Sequence, residues 1–221
     1  MMQLPKLFLM LLLSSVLLLP GCIHSGGSRD ERAAKARSIL KADKVLILSN
    51  KYMPFYISNF ITGPDFNEGQ RIMDLYEIAN PVSGVMKNFL QSLPPEVVAG
   101  EVVYQDTPNI DLQQFSGWVE FFPSSLYLED IPFTVGYRLH YRVVVRILNK
   151  SYMVNKKGQM FMHNLWQAEC HEIKPGTHPL RVWLENDAAM LKEKIPDFQV
   201  SCGQQLSKDL VRFLEISTVR K

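Results

Sequence analysis

The sequence predicts an α+β fold, in which a mixed sheet carries a long antiparallel hairpin and helices pack on it. Three observations lead there. Residues 44–50, Lys-Val-Leu-Ile-Leu-Ser-Asn, are a continuous apolar run, the pattern of a strand covered on both faces. Leu139, Tyr141, Val143, Val145 and Ile147 alternate with His140, Arg142, Val144 and Arg146; a polar stretch at 149–158 and a second strand over about 159–173 complete a hairpin. Val82, Val85, Met86, Phe89, Leu90 and Leu93 recur at helical spacing, as do apolar residues after 184 and after 200.

The elements follow in order. Ser28 stands three residues before Glu31, a capping-box spacing, so a helix is expected from Arg29 to about Ala42 with Ala33, Ala36, Ile39 and Leu40 on one side. After the 44–50 strand comes an aromatic and turn-rich stretch, 52–66, and then a helix over 67–79. Pro81 breaks or restarts that helix, and Pro94-Pro95 ends the next one. Residues 101–105 read as a strand. Residues 107–137 hold Pro108, Gly117, Pro123, Pro132 and Gly136 among seven aromatics, and read as a long loop with a short strand near 125–128. Beyond the hairpin, Leu184, Ala188, Leu191 and Ile195 mark a helix that Pro196 should end. A last helix spans about 200–215.

Composition excludes whole classes. At 47% hydrophobic and 21% charged, the chain has an ordinary globular mix and is not mainly disordered. The one long apolar run lies at the very start, which excludes a multi-span membrane protein. A net charge of +2 gives no argument for nucleic acid.

That apolar run carries the clearest address. Lys6 precedes Leu7 to Leu19, a core of ~13 residues where a spanning helix needs ~20. It ends in Leu19-Pro20-Gly21-Cys22. This resembles the lipobox of bacterial lipoproteins. The resemblance implies that the sulfur of Cys22 receives diacylglycerol, that residues 1–21 are removed as a signal peptide, and that the new amino terminus is acylated. Ile23 in the next position implies, by likeness to Gram-negative lipoproteins, an outer-membrane anchor with the domain facing the periplasm. The expected organisation is therefore 1–21 signal peptide, 22–43 lipidated Cys, tether and short helix, and 44–217 a single globular domain.

Two cysteines remain. Cys170 shares strand parity with Met160, Met162, Trp166 and Ala168. Cys202 shares a helix face with Leu206, Leu210, Phe213 and Leu214. Both point to a core, and an even pair in an oxidising compartment suggests a disulfide. The bridge would close about 32 residues and add roughly 3–4 kcal/mol in the chain-entropy view. The alternative is two buried thiols.

Catalytic signatures do not stand out. There is no Gly-x-Ser-x-Gly, no His-Glu-x-x-His and no glycine-rich phosphate loop. Cys170, His171 and His178 lie close in sequence, but adjacent strand residues face opposite ways, so no metal set and no cofactor is expected. Glu169 and Glu172 fall on different faces and make a poor acid/base pair. Arg142, Arg146 and Lys150 form a basic stripe, read first as a solvated face or as ion pairs with Glu169, and second as a contact for an anionic head group or glycan. The aromatics of 52–66 and 115–137 are either packing under loops or an interface. Trp118 and Phe122 are the expected partner contacts, since aromatics anchor interfaces.

The element order behind a lipobox, with the Val-Leu-Ile-Leu strand first, resembles envelope lipoproteins whose domain is similar to the TolB amino-terminal domain. Similar folds occur in lipoprotein activators of peptidoglycan synthases and in secretion-associated lipoproteins. The Cys170 and Cys202 pair also resembles uncharacterised proteobacterial lipoproteins. The resemblance implies a non-enzymatic outer-membrane lipoprotein that binds or assembles with an envelope protein complex. A carrier of a lipid or small apolar ligand and a cell-envelope hydrolase are the alternatives.

Overall fold

The computed structural model describes residues 27–49, 54–106, 114–154 and 160–215. Among them the chain runs α1 (Arg29–Leu40), β1 (Lys44–Ser49), β2 (Phe55–Asn59), β3 (Gly63–Asp65), α2 (Phe66–Leu75), α3 (Val82–Ser92), β4 (Glu101–Asp106), β5 (Gly117–Asp130), β6 (Tyr137–Val154), β7 (Met160–Ile173) and α4 (Leu180–Glu215). The fold is α+β, a mixed sheet with helices packed on it. The capping box forms as spaced: the Ser28 hydroxyl accepts from the Glu31 N–H, and the Glu31 carboxylate accepts from the Ser28 N–H.

The sheet is organised by β5. Its first half pairs in parallel with β1 (Leu46 opposite Trp118) and its second half in parallel with β2 (Phe55 opposite Leu126). β1 and β2 therefore lie end to end along one edge of β5. β4 continues the sheet beside β1, and β3 beside β2. On its other edge β5 pairs antiparallel with β6, and β6 with β7.

The expected long loop at 107–137 is largely this strand. Pro and Gly break the periodicity there, so the sequence reads as irregular. The fold absorbs them: Pro123 falls in a register shift between Phe122 and Ser125, where a bulge tolerates a residue without an N–H.

One face of the sheet is covered by helices. Val45, Ile47, Val119, Phe121, Tyr141, Val143 and Val145 meet Phe89, Leu191, Phe198, Leu206 and Leu210 in the main core. The helix α1 belongs to the same core through Ala33, Ala36, Ile39 and Leu40. At Gly69 a β-carbon would collide with the Phe55 carbonyl, so the bare backbone is what lets α2 lie on β2. Cys170 and Cys202 are joined, with Cα atoms 5.5 Å apart, and staple α4 to β7.

Two expectations fail on α4 and β7. Pro196 does not end a helix; it sits inside α4, whose buried Ile195 and Phe198 hold the segment to the sheet on both sides of the lost backbone bond. The break comes earlier, where Asn186, Asp187 and Ala188 take left-handed φ values of 53°, 60° and 54°. Such residues cost about 1–2 kcal/mol each; there Ala188 is fully buried and Asp187 accepts from Lys192 at 2.7 Å. Met162 does not share the inward parity of Cys170. A register shift beside Ile147 and Leu148 reverses the alternation, and Met162 is exposed.

Candidate functional site

The second face of the sheet divides along its length. Over β1 it carries a small core of Leu46, Leu48, Phe115, Trp118 and Leu148. Trp118 is 2% exposed and its indole N–H has no partner among the described residues. It packs in this small core, buried where the expected partner contact would need an exposed ring. Inward-facing positions of a central strand take the largest apolar side chains, and Trp118 occupies one. The side chain of Phe122 lies outside the described residues; its backbone stands opposite Val144. Cys22 and the lipobox also lie outside them.

Over β2 the same face carries polar and aromatic groups instead. Tyr56, Tyr127, His140 and His171, one from each of β2, β5, β6 and β7, make a ladder across four strands. The Tyr56 and Tyr127 rings stack at 4.7 Å, Tyr127 and His140 at 4.6 Å, and His140 and His171 lie 5.5 Å apart, tilted. Phe66 at the start of α2 adds a fifth ring, 5.0 Å from Tyr56. Parallel rings on neighbouring strands turn their edges, not their faces, to the outside.

The ladder is set in charge. Glu129 Oε2 lies 2.8 Å from His140 Nε2, close in distance though off the best hydrogen-bond angle. His140 Nδ1 is 3.2 Å from His171 Nε2, and the Tyr127 hydroxyl is 3.4 Å from that same nitrogen. Burial pushes the His140 pKa down; Glu129 pulls the other way, and His171 and Arg138 add to the lowering. Burial likewise raises the phenols of Tyr56 and Tyr127. Both arginines of the basic stripe are paired. Arg142 donates two bonds to Glu169 at 2.7 and 2.8 Å, and Arg146 one to Glu120 at 2.7 Å.

Beyond the ladder the sheet ends in two turns that sit side by side, because β2 and β5 run parallel with Ser58 opposite Glu129. The β2–β3 turn exposes Phe60 and Ile61; the β5–β6 turn exposes Phe133 and Val135. The Tyr137 hydroxyl donates to Asn59 across the two turns at 3.4 Å. Of the aromatics in 115–137, Phe115, Trp118 and Phe121 are core, and Phe133 alone of the described ones is fully exposed. Within the described residues of 115–137 the exposed aromatic is therefore Phe133 and not Trp118. The usable signal was position: Phe133 lies between Pro132 and Gly136, at the turn rather than in the alternating run.

Elsewhere, a groove beside the first turn of α1 is lined by Arg29, Arg32, Trp166, Gln167, Arg212 and Phe213. Cys170, Glu172 and Cys202 are neighbours, but both sulfurs are spent in the disulfide and leave no thiolate for a metal. No helix among the described residues is long and apolar enough to cross a membrane.

The sequence matches no protein-family model and no curated protein. Among solved structures, the chain is similar to an uncharacterised protein with a TM-score of 0.29 and 7% identity, over 77% of this chain and 94% of that one. It is similar also to a neuraminyllactose-binding hemagglutinin homolog from Helicobacter pylori, with a TM-score of 0.34 and 10% identity, over 81% of this chain and 92% of that one. Neither likeness is close enough to bear on function.

Proposed function

We propose that the protein is an outer-membrane-anchored periplasmic lipoprotein without catalytic activity, which binds an envelope protein complex through the turns at the β2/β5 end of its sheet. The observation that supports this most is the clustering of Phe60, Ile61, Phe133 and Val135, all exposed, on two adjacent turns of a rigid sheet. Single exposed apolar residues are ordinary; four together at one tip are the composition of an interface core. Leu19-Pro20-Gly21-Cys22 supports the anchor. The carrier and hydrolase readings have no comparable observation behind them.

The test is crosslinking in intact membranes followed by recovery of partners. Replacing Phe133 and Val135 by Ser should reduce recovery at least tenfold while leaving the melting temperature nearly unchanged, because solvent-facing substitutions cost within about 0.5 kcal/mol. Full recovery with the double variant would put the interface elsewhere. The anchor is tested separately: Cys22→Ser should abolish incorporation of labelled palmitate, and equal incorporation would refute it.

A further inference from the structure

His140 and His171 are diagonal neighbours on β6 and β7, since His171 stands opposite Arg142 and His140 opposite Ile173. A neutral imidazole keeps one proton on one of its two nitrogens. For His140 the surroundings choose: the Glu129 carboxylate, an acceptor only, is 2.8 Å from Nε2 and favours the proton there. That leaves the lone pair of Nδ1 aimed at His171 Nε2, 3.2 Å away. His140 is 4% exposed and held on one side by the Tyr127 ring, whereas His171 is exposed.

We propose that His140 Nδ1 and His171 Nε2 form a paired ligand site for a divalent first-row transition ion of the zinc or copper class. The distance fits an ion set off the line between the two nitrogens. Metal–nitrogen bonds of about 2.0–2.1 Å to two nitrogens 3.2 Å apart enclose an angle of about 99–106°, near tetrahedral. Imidazole is the side chain these ions prefer when no thiolate is offered. A ligating histidine characteristically directs its second nitrogen to a carboxylate, and the Glu129 carboxylate lies 2.8 Å from that nitrogen, though off the best hydrogen-bond angle. The Tyr127 hydroxyl, 3.4 Å from His171 Nε2, is placed to reach the ion or to hold a water bound to it. The exposed side of His171 leaves the remaining positions to water or to a ligand atom from outside. The site stands independently of the lipoprotein reading, since it uses neither the anchor nor the apolar turns.

The experiment is calorimetric titration of the full chain in detergent, stripped of metal with a chelator, with zinc sulfate and then copper sulfate at neutral pH. One ion per chain is expected, together with a rise in melting temperature on adding the ion. His171→Ala should weaken binding at least tenfold and abolish that rise. Because His171 is exposed, this variant keeps the fold where His140→Ala could lose it. Glu129→Gln should weaken binding by about tenfold, as carboxylates behind ligating histidines do. A variant lacking His24 and His178 should bind as the wild type does. No binding by the wild type would show the two rings to be a hydrogen-bonded pair only, and equal affinity in His171→Ala would place any ion elsewhere; either result overturns the proposal.

Discussion

Two halves of one sheet face share β5 and β6 and are otherwise built differently. Over β1 the positions are Leu46, Leu48, Trp118 and Leu148, and the face is closed by Phe115. Over β2 the equivalent positions are Tyr56, Tyr127, His140 and His171; His140 is buried, but the other three rings reach the surface beside ion pairs. The helix-covered face beneath is continuous, so stability does not demand the difference. The closed half is packed core, whereas the open half and the turns beyond it leave aromatic, polar and apolar side chains at the surface.

The largest expected effect tests the closed half. Trp118→Ala should cost ~3–5 kcal/mol in urea denaturation, the usual loss for a buried aromatic, and Tyr127→Ala on the open half clearly less. Equal losses would erase the distinction between the halves. Next comes the staple beneath both. Cys202→Ser should cost roughly 3 kcal/mol by releasing the closed loop, measured in the same way; a loss below about 1 kcal/mol would mean the helix face alone seats α4.

A smaller effect concerns acid. His163, buried on β7, has its pKa lowered by burial first and by Lys35 and Arg32 second. The unfolded chain then takes up a proton more readily than the folded one. The stability this ring contributes is full above the ordinary imidazole value of about 6.5 and declines as pH falls below it. Between pH 7.5 and 5.5, His163→Gln should therefore lose less stability than the wild type; parallel curves would show that another group carries the acid sensitivity. The smallest effect belongs to the open half. Arg142→Ala breaks a two-bond pair with Glu169, but both side chains are largely exposed, at 53% and 39%, and the loss should lie within ~0.2–1 kcal/mol. A much larger loss would mean that the open half is structural after all.

What could be read from the sequence is what local periodicity controls. The run at 44–50 gave a strand with Val45 and Ile47 on one core and Leu46 and Leu48 on the other. The spacing after Pro81 gave α3, and parity with periodicity gave the Cys170–Cys202 bridge. Features set by distant partners were not legible. Pro123 hides β5 because nothing local shows that a neighbouring strand leaves room for a bulge. Pro196 reads as a stop because its cost is local and its compensation is tertiary. His140 and His171 each look ordinary, and only the register of β6 against β7 brings them together.

The length of β6 has a mechanical consequence. Its 18 residues reach about 60 Å, against an average strand of about 5–6 residues. The apolar turns lie at one end of that span, and the C-terminal end of α1 packs near Gly117, which stands opposite Asn149 about 40 Å along the strand. A pull between the two ends acts along the strands, at right angles to the hydrogen bonds that join β5, β6 and β7. Those bonds are then loaded together in shear instead of being peeled one by one, and the disulfide bolts α4 to the same frame. Such a domain would transmit tension between its ends before it yields to it.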